Sequence, residues 1–181
     1  MKKRLIKLLK EHSVMVGNFF LASGKQSDFY IDVRQITLHP EGALLIANMI
    51  LNRINSDIQG VGGPMTGADP IAGAVSVVSY LRGKSIYGFM IRKKLKAYGS
   101  QYWIEGRNSL PNGSHVCIVE DTTTTGNTLL RAIYKAEQEG LIVKQCISVV
   151  DREEGAMKRI TDAGYSFEAL VTRTELIKEN K

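Results

Sequence analysis

The sequence predicts an α/β fold, a mainly parallel central sheet flanked by helices. Three observations carry that expectation. Strand-like and helix-like segments alternate four or more times along the chain, the pattern in which crossover helices pack on a parallel sheet. Leu129, Leu130, Ile133 and Ala136 recur at helical spacing directly between two strand-like runs. The 181 residues are 44% hydrophobic and 23% charged, with no internal repeat, low-complexity tract or linker, which suits one domain over residues 1–181 with a core of its own.

Each element has a local signal. "MKKRLIKLLKEHSVMVG" interleaves charges with leucines and reads as an amphipathic first helix, not as a signal peptide. "FYIDVRQI" (29–36) alternates like a strand, and "HPEGALLIANMILNRI" opens a largely apolar helix at Pro40. A strand then leads into a glycine-rich loop, "IQGVGGPMTGADP", followed by a helix from about 70 to 80 and the strand "SIYGFMIR". After the basic stretch "RKKLKAYGSQYWIEGR" comes the strand "HVCIVE", then a helix that Gly140 is placed to cap, then the strand "IVKQCISVVD".

Composition excludes some roles and leaves others open. No apolar stretch approaches the roughly 20 residues of a membrane helix, so no membrane partner is expected. Cys117 and Cys146 sit in apolar runs without CxxC spacing or a histidine to complete a metal site, and are expected as buried free thiols in a reducing cytoplasm. The formal net charge of +6 suits nucleic acid, an anionic surface or a small polyanionic substrate, and charge alone does not choose among them.

The segment that chooses is "VCIVEDTTTTG" (116–126), two carboxylates and four threonines between an apolar strand and a helix. A helix N-terminus offers unpaired N–H groups and a positive dipole end, and hydroxyls beside a glycine complete a cup for a phosphate. Thr123 to Thr128 suit a monophosphate. Glu120 and Asp121 would repel it if they pointed at it, so they are expected to accept hydrogen bonds from neighbouring hydroxyls such as a ribose diol. A 5-phosphoribosyl group carries both features. The plainer alternative is a helix capped by Asp121 and Thr122 with surface threonines. Two commoner phosphate motifs fail by counting. Gly62 and Gly67 fit GxxxxG, but Ala68 and Asp69 follow where a P-loop needs Lys and Ser or Thr; Gly60 and Gly62 begin a GxGxxG that ends in Met65.

"VCIVEDTTTTGNT" resembles the 5-phosphoribosyl-1-pyrophosphate (PRPP) motif of type I phosphoribosyltransferases. "LASGKQSDFYIDVR" (21–34), "GGPMTGADPIA" (62–72), "RKKLKAYGSQYWIEG" (92–106) and "VVDREEGA" (149–156) narrow the resemblance to the orotate phosphoribosyltransferase family. It implies the type I phosphoribosyltransferase-like fold with a small N-terminal hood region, and the reaction of orotate with PRPP to orotidine 5′-monophosphate and pyrophosphate, with Mg2+ as cofactor. It further implies a cytoplasmic homodimer whose basic loop is shared across subunits, with no nucleic-acid partner. PRPP contacts then fall to Arg92, Lys93, Lys96, Tyr98, Glu120, Asp121, Thr122, Thr123, Thr124, Thr125, Gly126, Asn127 and Thr128, with Lys96 and Asp121 in catalytic roles. Orotate contacts fall to Lys25, Phe29, Tyr30, Thr124 and Arg152. "GGPMTGAD" resembles the loop lining the pyrophosphate.

Chemistry agrees with that assignment. Loss of pyrophosphate from a ribose builds cationic character on the sugar and negative charge on the leaving group, so positioning and electrostatics suffice and no nucleophilic side chain is needed. Magnesium keeps several waters and takes few protein ligands, and no metal-ligating residue is assigned. One position departs from the family pattern: Tyr98 stands where a histidine is usual before the glycine. Two other readings stay open at this point, a phosphoribosyltransferase for another base and a PRPP-binding regulator without turnover.

Overall fold

The computed structural model describes residues 1–20, 26–94 and 102–178. Helix α1 (Lys2–His12) turns its Leu5, Leu8 and Leu9 inward, the i, i+3, i+4 stripe of an amphipathic helix. It leads into an antiparallel hairpin, β1 (Val14–Phe20) with β2 (Gln26–Ile31), which forms a two-stranded sheet apart from the main one. The strand expected over 29–36 stops at Ile31. Asp32 folds back so that its Oδ1 accepts from the Arg34 backbone N–H, and Arg34–Thr37 becomes a short helix, α2. Helix α3 (Pro40–Leu51) follows, with Pro40 in its first turn as expected.

The main sheet has six strands in the order β5-β4-β3-β6-β7-β8. They are β3 (Gly60–Pro64), β4 (Tyr87–Ile91), β5 (Ile104–Glu105), β6 (His115–Thr123), β7 (Ile142–Asp151) and β8 (Ser166–Thr172). All pairings are parallel except β4 with β5. Helix α4 (Asp69–Leu81) crosses between β3 and β4, α5 (Asn127–Gln138) between β6 and β7, and α6 (Ala156–Asp162) between β7 and β8; α7 (Arg173–Ile177) follows β8.

The glycine-rich segment expected as a loop is a correction: Gly60–Pro64 is a central strand, paired on both sides. Its neighbours come so close that a Cβ on Gly62 would lie 2.2 Å from the Phe89 carbonyl oxygen and one on Gly63 1.9 Å from that of Val119. Glycine is there because no side chain fits, and the loop is confined to residues 65–68.

Successive residues of β6 enter different cores. Cys117 and Val119 pack with the face covered by α1, α3 and α4, whereas Val116 and Ile118 pack with the face covered by α5 and α6. Both faces are therefore dry, and the strand reads as one apolar run. Cys117 and Cys146 fall on opposite faces and are free and buried, and burial pushes the Cys146 thiol up to about 12. On α5 the buried stripe is Leu129, Ala132, Ile133 and Ala136. Leu130 sits off it and is only partly buried, because each residue turns the helix by about 100°.

Candidate active site

In a doubly wound sheet a crevice opens beyond the carboxyl ends of the strands where the order reverses. Here β4 lies on one side of β3 and β6 on the other, so the reversal falls between β3 and β6. A cavity of about 330 Å³ lies there. Met65, Thr66 and Gly67 line it from the end of β3, and Glu120, Asp121 and Thr122 from the end of β6. Tyr30 to Arg34 close it from the hairpin side, with Lys93 and Thr128 completing the wall.

The two carboxyl groups differ. Glu120 is 8% exposed, and among the described residues no hydrogen bond reaches its carboxyl. Desolvation and, behind it, the charge of Asp121 push its pKa up to about 8, with Lys93 pulling the other way. Burial also raises Asp121, against which the Thr122 backbone N–H donates to its Oδ1 at 2.7 Å and the Arg34 charge acts from across the cavity. Asp121 nests against Gly67, where a Cβ would stand 2.5 Å from its Oδ1. Asp32 is different again: the Arg34 guanidinium, 2.9 Å away, holds its carboxyl below the usual range.

The raised Glu120 carries a pH signature. Its folded pKa of about 8 lies above the ordinary 4.5, so the folded chain holds a proton that the unfolded chain gives up. The associated stability is fully present below the unfolded value and is lost as pH rises through the folded one. Glu120→Gln is therefore expected to gain thermal stability relative to wild type as pH rises from about 5 to about 8, with a plateau above. A difference independent of pH refutes the burial argument.

Beyond Asp121 the strand ends and α5 begins. Gly126 precedes the helix with φ of +81°, a left-handed turn that favours glycine, and among the described residues no side chain caps α5. A helix start without a side-chain cap leaves its first backbone N–H groups available beside the threonines, which is how a helix end binds a phosphate. Thr123 is 3% exposed and its Oγ1 has no partner among the described residues.

No protein-family model matches the chain. The orotate phosphoribosyltransferase of Nostoc sp. is 40% identical over 176 residues, 97% of this chain and 85% of that protein. Among solved structures, Mycobacterium tuberculosis orotate phosphoribosyltransferase in complex with Fe(III) dicitrate superposes with a TM-score of 0.85 at 35% identity, covering 98% of this chain and 99% of that one. The chain belongs to the orotate phosphoribosyltransferase family. The M. tuberculosis enzyme in complex with PRPP is similar too, with a TM-score of 0.79 at 32% identity over 97% of this chain and 98% of that one. The main sheet and its flanking helices are accordingly the type I phosphoribosyltransferase-like fold.

Within this orotate phosphoribosyltransferase fold, Tyr30, Lys93, Glu120, Asp121, Thr122 and Thr128 line one cavity. Thr123 ends β6 beside it, Thr124, Thr125 and Gly126 form the turn, and Asn127 opens α5, its side chain accepting from Arg159 at 2.9 Å. Arg92 faces an adjoining pocket and its guanidinium pairs with Glu105. Arg152 stands off the main cavity: its backbone N–H donates to the Thr123 carbonyl at 2.9 Å, and its guanidinium meets Glu154 at 2.9 Å. Its Nε is buried without a partner among the described residues. Phe29 lies on β2 opposite Val16, its side chain outside the described set; Lys25, Lys96 and Tyr98 lie outside the described residues altogether. Asp32 and Arg34 are cavity residues that the sequence reading did not assign. The signal was two opposite charges, two apart, at the end of a strand pattern.

Proposed function

We propose that this chain transfers the 5-phosphoribosyl group of PRPP to orotate, releasing pyrophosphate and forming orotidine 5′-monophosphate for pyrimidine biosynthesis. The observation that carries it is the adjacency of an uncapped, threonine-rich helix start and a buried carboxyl pair at the sheet's switch point. One segment thereby offers a phosphate cup and a diol acceptor side by side. Thr123 to Thr128, with the Gly126 and Asn127 backbone, hold the 5-phosphate, Asp121 with Glu120 takes the ribose hydroxyls, and Thr122 lies beside them on the cavity wall. Arg92, Lys93 and Lys96 face the leaving pyrophosphate, and Tyr98 contributes a neutral O–H. Lys25, Phe29, Tyr30, Thr124 and Arg152 surround the base, with the rings stacking on a flat pyrimidine.

Among the described residues no cluster of three or more metal-ligating side chains exists, while two carboxyl groups with raised pKa share the cavity. That donor set fits a magnesium ion arriving on the PRPP diphosphate, with Asp121 and Glu120 touching it at most through hydroxyls or water. When bound, the ion supplies charge neutralisation of the diphosphate.

Transfer to orotate is tested by a spectrophotometric assay with orotate, PRPP and magnesium, with uracil and adenine as controls. Turnover of adenine in preference to orotate, or binding of PRPP without turnover, defeats the proposal. Arg152→Ala is expected to weaken orotate by roughly 2 kcal/mol, because a carboxylate loses its guanidinium partner; PRPP binding measured alone should stay put. Equal effects on both substrates make Arg152 structural. Lys96→Ala is expected to lower kcat about a hundredfold and Tyr98→Phe at most about tenfold, since a fixed cation outweighs a neutral donor at a leaving anion. The reverse ranking sinks this account of the basic loop.

The chain is proposed to work as a cytoplasmic homodimer with the basic loop shared across subunits. Val77, Tyr80, Leu81 and Tyr87 are exposed around a groove of about 390 Å³ at the end of α4, an apolar surface of the kind subunits cover. A single monomeric peak in size-exclusion chromatography at micromolar concentration would reject the dimer. No helix among the described residues is long and apolar enough to cross a membrane.

A further inference from the structure

Lys135 belongs to none of the contacts above. It sits on α5, seven residues beyond Thr128, so the same helix face reaches the cavity at one end and Lys135 at the other. Its ammonium donates to the Arg92 carbonyl at 2.8 Å and to the Lys93 carbonyl at 3.3 Å, and it stands 3.9 Å from the centre of the Trp103 ring. One turn further along, Glu139 accepts from the Trp103 backbone N–H at 3.0 Å, and Arg92 N–H donates to the Trp103 carbonyl at 2.9 Å.

We propose that Lys135 is a positioning residue for pyrophosphate binding. It fixes the backbone at Arg92 and Lys93 against Trp103, and so sets where the Lys93 ammonium stands on the cavity wall. A lysine ammonium has three protons; here two carbonyls and a ring face take them, and among the described residues no carboxylate pairs with it. Such an arrangement serves geometry rather than charge neutralisation. Lys93 has the opposite character: it is exposed, lines the cavity, and no hydrogen bond or ion pair reaches its ammonium among the described residues. Its backbone is therefore what holds it, and Lys135 is what holds that backbone. Lys135 is half-buried and lies outside the Leu129, Ala132, Ile133 and Ala136 stripe that the core covers, so its removal should alter position before stability. Because α5 also starts at the threonine turn, one rigid helix sets the spacing between the phosphate cup and Lys93.

The inference rests on reading Lys93 as a pyrophosphate contact, and its deciding measurement, pyrophosphate binding, needs no turnover. Trp103 is the one tryptophan of the chain, so its emission reports the contact. Lys135→Met keeps an unbranched side chain one atom shorter and removes all three donors; Lys135→Arg keeps the charge. The Met variant is expected to shift the Trp103 emission and to raise the Kd for pyrophosphate with magnesium about five- to tenfold. KM for PRPP should follow and KM for orotate should not. The Arg variant should return Kd to within about twofold of wild type, and Tm should stay within about 3 °C throughout. A shifted emission with unchanged pyrophosphate affinity overturns the proposal, as does a parallel loss of Tm and of both substrates. A wild-type chain that ignores orotate overturns the activity proposed above, while the pyrophosphate titration still decides on Lys135.

Discussion

Asp121→Asn is expected to lower kcat/KM for PRPP by about three orders of magnitude while leaving the fold intact. A hydroxyl donating to a charged acceptor contributes about 1.5–3 kcal/mol, so a diol on one carboxylate amounts to about 4 kcal/mol, or about a thousandfold. The asparagine keeps one oxygen, and the Thr122 backbone N–H, already 2.7 Å from Oδ1, claims it. What remains facing the sugar is an NH2 group, a donor set against donors. Stability should hold or rise, because burial already raises the Asp121 pKa and the substitution removes a poorly solvated charge. The check is steady-state kinetics in varied PRPP with a thermal melt of the same preparation. An unaltered kcat/KM removes Asp121 from the site.

The place of Asp121 in the candidate site is legible in the sequence because the candidate site is local. Glu120 to Thr128 are contiguous, and one strand end running into one helix start brings their chemistry together without help from elsewhere. Strand β7 is legible over its whole length, Ile142–Asp151, because Ile142, Val143, Ile147, Val149 and Val150 crowd it with β-branched residues and it is buried on both faces from Cys146 onward. The strand reading over 29–36 runs too far because Ile31 and Val33 alternate with Asp32 and Arg34, whereas Ile36, three positions beyond Val33, is out of that phase and buried on a helical turn; the Asp32 hydrogen bonds that end the strand do not show in hydrophobicity. The contacts of Arg92 with Glu105, of Lys135 with the Arg92 carbonyl and of Arg34 with the cavity join segments 13 to 87 positions apart in the chain. No local pattern announces such pairs, since each depends on which strand lies beside which.

Gly63→Ala is expected to destabilise the chain by about 4 kcal/mol or more, beyond the range of ordinary substitutions. The added Cβ would lie 1.9 Å from the Val119 carbonyl oxygen and 2.8 Å from the Ala68 Cβ. Neither can swing aside as a flexible side chain would, because the oxygen is backbone of β6 and Ala68 is fixed at the start of α4. Relief requires β3 and β6 to part at the centre of the sheet. Any fraction that folds should also be impaired catalytically, since Val119 directly precedes Glu120 and Asp121 and a displaced β6 carries both carboxyls away from the threonine turn. Gly73→Ala is the control: it lies inside α4 with nothing within 4 Å of the added Cβ, and alanine there should stabilise by about 0.5–1 kcal/mol. Urea denaturation of the two variants measures both. Wild-type stability in Gly63→Ala means that β3 and β6 do not approach as closely as the glycine run requires, and the reason given for a glycine strand at the heart of the sheet is then wrong.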